Sequence, residues 1–437
     1  MRRLLLLSIA CCAATGAARA AEPEKSVLTL DEALRLARVN HPQLHAARAQ
    51  TEVSTAKVAE AKAPLLPQVS GSASYQEGTY NQAPTPGVTQ SAFSSSGTSF
   101  DTRAYYSAGV TASELLYDFG QTTGKWNSSK ATLRSQEENE RNFAVQVAFN
   151  LRSAYFTAAA ARALVKVAED TLRNQQAHLK QTQGFVEAGT HPEIDLAQAR
   201  TDYANAKVQL INAQVAYDTD KALLNQAMGV ERGTDYEVAD PPADPVSGED
   251  TATDALLPVA LKARPDLLSL ARQIDAQELT TKSIKGSYAP SLGFSAGLTD
   301  QGYELGTLVW NWTAKLSLNW QIFGGGITDA QMREARANTA VLRAQYDLQH
   351  QQVRADVEQA RLAVRAAKAA IDATHEAAVN ARVRLGLAEG RYRAGIGSMI
   401  ELGDSQVAVT TANGQEVQAV FNLAIARAKL VQALGQP

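Results

Sequence analysis

From Trp310 to Ile322 apolar and polar residues alternate without a break. Trp310, Trp312, Ala314, Leu316, Leu318, Trp320 and Ile322 fall on one side, and Asn311, Thr313, Lys315, Ser317, Asn319 and Gln321 on the other. Successive strand side chains leave opposite faces, so this period of two predicts a β-strand with one apolar and one polar face. The same alternation occurs at Val69, Gly71, Ala73 and Tyr75, and at Leu292, Phe294, Ala296 and Leu298. The pattern predicts two β-hairpins, at about 68–117 and 291–323, four strands in all and no other β segments. A long surface loop, Gln76–Thr102, separates the first pair.

Elsewhere the period is helical. No proline interrupts Gln121–Ala188 or Asp329–Ala394. At 1.5 Å per residue, some 65 residues make a helix about 100 Å long. Small or apolar residues recur at spacings of three and four: Val147, Leu151, Ala154, Ala158, Ala161, Val165, Ala168 and Leu172. A second series is Val353, Val357, Ala360, Val364, Ala367, Ile371, Thr374 and Ala378, and a return helix carries Leu196, Ala199, Tyr203, Ala206, Leu210, Ala213 and Tyr217. Such seams predict antiparallel coiled-coil packing, with alanines allowing close approach.

The chain also repeats itself. Pro42 and Pro265 lie 223 apart (265 − 42), as do Pro67 and Pro290. Gly120 and Gly326 lie 206 apart (326 − 120), as do Gly189 and Gly395, and Gly229 and Gly435. A constant register on both sides of one insertion predicts a duplication. The halves are 21–234 and 255–437, with long helical hairpins at about 121–229 and 327–435. The Pro- and Asp-rich stretch 235–254 reads as the linker between them.

Two environments suit the Trp310–Ile322 strand. It could half-bury in a soluble sheet, or face lipid. Tryptophans at the ends of the apolar face favour lipid, because interfacial girdles are aromatic. Trp310 and Trp320 are ten residues apart, which spans roughly 26 Å in a strand tilted by about 40°, close to the ~25 Å apolar band of outer-membrane barrels. Four strands cannot close a barrel, since about eight are the practical minimum. Several chains must then contribute.

Composition supports an exported chain. Arg2 and Arg3 precede the apolar run Leu4–Ile9, and Ala18-Arg19-Ala20 is a small-x-small cleavage site, so 1–20 reads as a signal peptide. Both cysteines, Cys11 and Cys12, lie within it, which leaves the mature chain without thiol or disulfide chemistry. A lipoprotein signal is the alternative, although Ser8 stands three before Cys11, where leucine is usual. Beyond the leader no apolar run reaches eighteen residues, so a membrane-spanning helix is not expected, but a barrel remains open. A net charge of −3 gives no basic surface for nucleic acid.

Candidates for chemistry are poor. His41 and His45 are one helical turn apart without a third ligand, and Gly324-Gly325-Gly326 lacks the Lys-Ser/Thr of a phosphate loop. Neither an enzyme nor a cofactor or metal site is expected.

The duplicated tip motifs carry a resemblance. Phe185-Val186-Glu187-Ala188-Gly189-Thr190 precedes Asp195-Leu196-Ala197-Gln198-Ala199, and Tyr392-Arg393-Ala394-Gly395-Ile396 precedes Glu401-Leu402-Gly403-Asp404-Ser405-Gln406. Leu116-Tyr117-Asp118-Phe119-Gly120 and Ile322-Phe323-Gly324-Gly325-Gly326 repeat at the strand-to-helix junctions. Together these resemble the TolC family of outer-membrane factors over nearly the whole mature chain. The resemblance implies a mixed α/β membrane protein. It would be a homotrimer with a 12-stranded outer-membrane β-barrel, four strands per protomer, continued by a periplasmic α-helical coiled-coil barrel. It implies a duct for drug efflux or type I secretion, partnered by a periplasmic adaptor, an inner-membrane transporter and outer-membrane lipid. On the matching positions, Ala188, Gly189, Thr190, Ala394, Gly395 and Ile396 dock the adaptor. Glu401 and Asp404 line the constriction, Asp195 and Tyr392 hydrogen-bond to hold the closed state, and Trp310, Trp312 and Trp320 form the aromatic girdle. Gly397 stands where one family member has a latch arginine, so a salt-bridge latch there is not expected.

A plainer reading accompanies some of these. Ser398-Met399-Ile400-Glu401 and Thr190-His191-Pro192-Glu193 are both capping-box patterns. Glu401 therefore fits a helix cap and a pore equally, while Asp404 and Asp195 are harder to explain as caps. The helices alone would also allow a periplasmic coiled-coil adaptor or a structural protein without a pore; the alternating strands argue against both.

Overall fold

The computed structural model describes residues 26–79, 81, 100–240 and 245–436, so the expected signal peptide 1–20, both cysteines and most of the expected surface loop lie outside the described residues. The order is β1 (Ser26–Leu28), α1 (Leu30–Asn40), α2 (Pro42–Lys62), β2 (Gln68–Gly78), β3 (Arg103–Tyr117), α3 (Gln121–Glu187) and α4 (Glu193–Met228). There follow β4 (Tyr236–Val238), α5 (Thr253–Ala263), α6 (Pro265–Gly286), β5 (Ser291–Gly302), β6 (Val309–Asn319), α7 (Ile327–Arg393) and α8 (Met399–Ala433). A 3-10 turn, Ala63–Leu65, joins α2 to β2.

Helices α3 and α7 each run 67 residues and start 206 positions apart (327 − 121). Each is about 100 Å long. Their seam positions are buried where the spacing predicts: Val147, Leu151, Ala158 and Ala161 on α3, and Val353, Val357, Ala360, Val364 and Ala378 on α7. Helix α3 packs on both α4 and α8, and α7 on α8, so the two helical hairpins lie side by side.

Strands β2, β3, β5 and β6 form one antiparallel sheet in that order, with the first hairpin stitched to the second through β3 and β5. The register aligns the faces. Val69, Ala112, Ala296 and Ala314 form one row, and Gly71, Val110, Leu298 and Trp312 the next. The opposite face aligns Gln68, Ser113, Ser295 and Lys315, then Ser70, Thr111, Gly297 and Thr313. Three carboxylates break the apolar face, Glu77 opposite Ala104, Glu114 beside Phe294 and Asp300 beside Trp310, each near an end of the sheet.

Three strand expectations are corrected. Strand β6 stops at Asn319, not Ile322, because its last partner is Ser291 and the residue before that is Pro290, which has no N–H to pair. Strand β2 continues through Gln76 to Gly78, where Thr102 Oγ1 donates to Glu77 at 2.7 Å. The stretch 235–254 is not wholly linker and the hairpins are not the only β structure, since β4 pairs in parallel with β1. Tyr236 anchors β4 by donating to the Lys221 carbonyl and Asn225 Oδ1. Tyr155 of α3 then ties the pair to the helices, its hydroxyl bonding the Leu28 and Ala239 carbonyls. Further along the same stretch Glu249 meets Arg427 at 2.8 Å and Lys368 at 2.7 Å, clasping it to α8 and α7.

Strand-to-helix junctions show how the sequence turns the chain. Phe119 and Gly120 both adopt positive φ, 53° and 88°, and the buried Asp118 carboxylate accepts the amides of Gly120 and Thr122. At the matching positions the second half places Gly325 and Gly326, at 65° and 82°. Glycine takes this conformation freely, so the second junction needs no such brace.

Candidate gating tip and membrane-facing sheet

Both long hairpins end in the same device. Gly189 N–H bonds the Val186 carbonyl and Thr190 N–H that of Phe185; Gly395 N–H bonds Tyr392 and Ile396 N–H bonds Arg391. This is the paired pattern of a Schellman cap, with glycine in the left-handed region at φ 72° and 73°. Ala188, Gly189, Thr190, Ala394, Gly395 and Ile396 are all exposed, and no atom comes within 4 Å of a Cβ built on either glycine. The turn thus leaves a free surface at the end of the molecule.

The capping boxes differ. Ser398 Oγ accepts the Glu401 amide at 3.1 Å and starts α8. Thr190 does not cap α4: its hydroxyl donates back to the Phe185 carbonyl at 2.9 Å, and Pro192 takes the N-cap position. A proline at that point moves the helix start past the threonine's reach. Glu401 also faces Arg391 at 3.3 Å, with both side chains partly exposed. Solvent screens such a pair, so it counts as a weak tie across the tip.

Asp195 and Tyr392 come together across the two hairpins: the phenol donates to Asp195 Oδ2 at 3.2 Å. Tyr392 is only 2% exposed, and burial first, with Asp195 nearby, raises its hydroxyl above the ordinary range. Around it close Ala199, Ala388, Met399 and Leu402. Asp404 forms no salt bridge among the described residues; it lines, with Ile400, Asp195 and Asp202, a cleft of about 900 Å³ between α4 and α8. No lysine or arginine lines that cleft.

Several tip residues escaped the sequence reading. His178 is buried with Nε2 3.4 Å from Met399 Sδ, His191 stacks on Phe185 at 4.7 Å, and both rings contact Tyr392. A signal existed: the α3 seam carried beyond Leu172 meets Gln175, His178 and Thr182, polar residues in a buried stripe. His41 has a structural place, its Nδ1 accepting the Gln43 amide at the start of α2. Among the described residues no cluster of three or more His, Cys, Asp or Glu could hold a metal.

At the other end, the apolar sheet face is bare. Val69, Val110, Leu298, Trp312 and Leu316 are 54–71% exposed, and Trp310 is 66% exposed. Trp320 lies past the end of β6, where its indole N–H donates to the Tyr288 carbonyl at 3.1 Å. Among the described residues no helix is long and apolar enough to cross a membrane.

Comparison with known proteins bears on both ends of the molecule. The chain is 24% identical to the outer membrane efflux protein BepC of Brucella suis, over 93% of this chain and 85% of that one. It is also 24% identical to the toluene efflux pump outer membrane protein TtgC of Pseudomonas putida, over 86% and 76%. Its fold matches the CmeC outer membrane channel of Campylobacter jejuni with a TM-score of 0.78 at 17% identity, covering 93% of this chain and 85% of that structure. The sequence profile that matches residues 33–230 and 256–436 is that of the outer membrane efflux proteins, and the chain belongs to that family.

Proposed function

We propose that the chain is the outer-membrane exit duct of a tripartite efflux pump, or of a type I secretion system built the same way. The observation that carries this reading is the sheet: four strands with one exposed apolar face, ending in two edges, β2 and β6, that have no strand partner among the described residues. Bare edges of this length invite pairing with another chain, and closure is what a bilayer demands of β structure. Three copies joined β6 to β2 give twelve strands, beneath which the ~100 Å helices continue as a tunnel through the periplasm. The two halves, 21–234 and 255–437, act as a duplicated unit whose pseudo-repeat suits a ring built from three chains.

Each site then has a role. The apolar face with Trp310, Trp312 and Trp320 meets outer-membrane lipid. The exposed tips, 188–190 and 394–396, receive the helical hairpins of a periplasmic adaptor, which links the duct to an inner-membrane transporter. Threefold symmetry gathers Asp404 and Glu401 at the constriction, where crowded carboxylates favour cations. The Asp195–Tyr392 bond holds the tip closed. BepC and TtgC, as outer membrane efflux proteins, support the efflux role.

Detergent-extracted protein should have the mass of a trimer and form stable single channels in planar bilayers. Asp404→Asn should change their conductance or cation preference at least twofold. A water-soluble monomer without channel activity would overturn the duct; channels indifferent to Asp404 would move the constriction elsewhere.

A further inference from the structure

Tyr392 sits between two imidazoles that the gate as described does not use. His178, from α3, meets the tyrosine ring edge-on with centroids 5.6 Å apart, and the His191 ring, from the first tip, lies tilted against it with centroids 5.0 Å apart. Phe185 completes the group, stacked on His191 and 6.4 Å from Tyr392. The cluster packs one hairpin's tip onto the other, at the point where Tyr392 reaches Asp195. We propose that His178, assisted by His191, makes the Asp195–Tyr392 latch acid-labile: the neutral imidazole seats the tyrosine, and protonation of His178 releases it. This rests on the reading of that pair as the latch of the closed tip.

The surroundings fix the direction. His178 is 7% exposed, and its Nε2 faces the Met399 thioether, a weak acceptor. From α8 come Met399, Leu402, Gln406, Val409, Thr410 and Asn413, none of them titratable. On α7 stand Glu389, already bonded to Arg393 at 3.1 Å, and Tyr392 itself. Asp170, on the histidine's own helix, is paired with Arg173. On α4 are Asp195 and Asp202, the latter accepting from Gln198 at 2.9 Å. At the tip itself Glu401 is engaged by Arg391, and Asp404 faces the neighbouring cleft. An imidazolium needs two acceptors, and among the described residues its Nε2 meets a soft sulfur. Of the carboxylates around the ring, Asp195 is the one the latch uses, at 3.2 Å from the Tyr392 hydroxyl, and its pull on an imidazolium competes with that bond.

Burial, the largest influence, holds the His178 imidazole below its ordinary range, against the opposing pull of Asp202, Glu389 and Asp195. Opening the tip hydrates the ring and returns it toward about 6.5. The open tip therefore binds the proton more tightly. The closed state is fully favoured above that pH and weakens as pH falls through it, until the lowered value of the closed state is passed.

The test is single-channel recording of the trimer at pH 7.5 and 5.5. Wild type should gain severalfold in open-state occupancy on acidification, because the open tip binds the proton more tightly. His178→Gln should lose the acid response, its occupancy at pH 5.5 staying within about twofold of its own value at pH 7.5. Tyr392→Phe should open the tip at pH 7.5. A full acid response in His178→Gln, or its loss only in Asp404→Asn, would overturn the histidine assignment while leaving the latch intact. Unchanged occupancy in Tyr392→Phe would overturn the latch and this proposal with it. Should His178→Gln fail to assemble, nitrogen-15 histidine resonances of the wild-type trimer decide: His178 titrating below the ordinary imidazole range supports the proposal, and titration at or above it refutes it.

Discussion

At the scale of single residues, the tip separates positions that pattern can reveal from those that only contact reveals. The glycines at 189 and 395 were legible because a proline-free helix must end somewhere, and glycine past the last helical turn is the commonest way. Ser398 was legible as a cap and is one. The same four-residue pattern at Thr190 was misleading: Pro192 follows two positions later and takes over the N-cap, leaving the threonine to close the preceding helix instead. His178 and Met399 could not be read as partners, since they come from α3 and α8, and nothing local links them. The asymmetry gives a prediction. Ser398→Ala removes a side-chain acceptor from the first turn of α8 and should destabilise it by about 1 kcal/mol, the usual worth of such a cap. Hydrogen exchange should report this as faster exchange of the amides at 400–402. Thr190→Ala should leave the corresponding amides at the start of α4 unchanged, because the hydroxyl serves none of them.

Elements differ in how far their boundaries follow from sequence. The long helices were legible to within a residue or two, because their seam runs for many turns and proline is absent throughout. The hairpin strands were legible as alternation, but not their ends. Alternation continues to Ile322 while the ladder stops at Asn319, since pairing needs a partner and Pro290 supplies no N–H. Strands β1 and β4, three residues each, are too short to show any period. Their position is set by Tyr155 and Tyr236, which lie far from them or within them in sequence and act only after folding. The helical seam permits a paired test. Leu151 of α3 and Val357 of α7 stand 206 apart (357 − 151), and both are fully buried. Leu151→Ala should cost about 2–5 kcal/mol by leaving a cavity. Val357→Ala removes less volume and should cost less. Thermal unfolding of the two purified variants should give the larger drop in midpoint for Leu151→Ala; equal drops would mean that the α3 site collapses around the smaller side chain.

For the whole molecule, the decisive property is a sheet that is finished along its strands and unfinished across them. No single strand reveals this. Each hairpin could belong to a soluble sandwich, and the register is what merges four apolar stripes into one face. That face holds Trp312, Leu298 and Val110 in one row and Ala314, Ala296 and Ala112 in the next, with no α-helix among the described residues packed over it. Its carboxylates, Glu77, Glu114 and Asp300, lie near the two ends, where a bilayer is already wet. Ala314 is the middle residue of β6, and Thr313 beside it points to the polar face. If lipid covers the first and water the second, one charge will tell them apart. Lysine at the midplane of the lipid face costs about 2–4 kcal/mol, so Ala314→Lys should sharply reduce heat-stable trimer in the outer-membrane fraction. Thr313→Lys should assemble normally and instead shift single-channel conductance toward anions, because the added charge stands in the lumen. Equal tolerance of both substitutions would mean that neither face meets hydrocarbon. The reverse result would turn the sheet inside out, placing the tryptophans in the channel and the serines against lipid, which the desolvation cost of hydroxyl groups opposes.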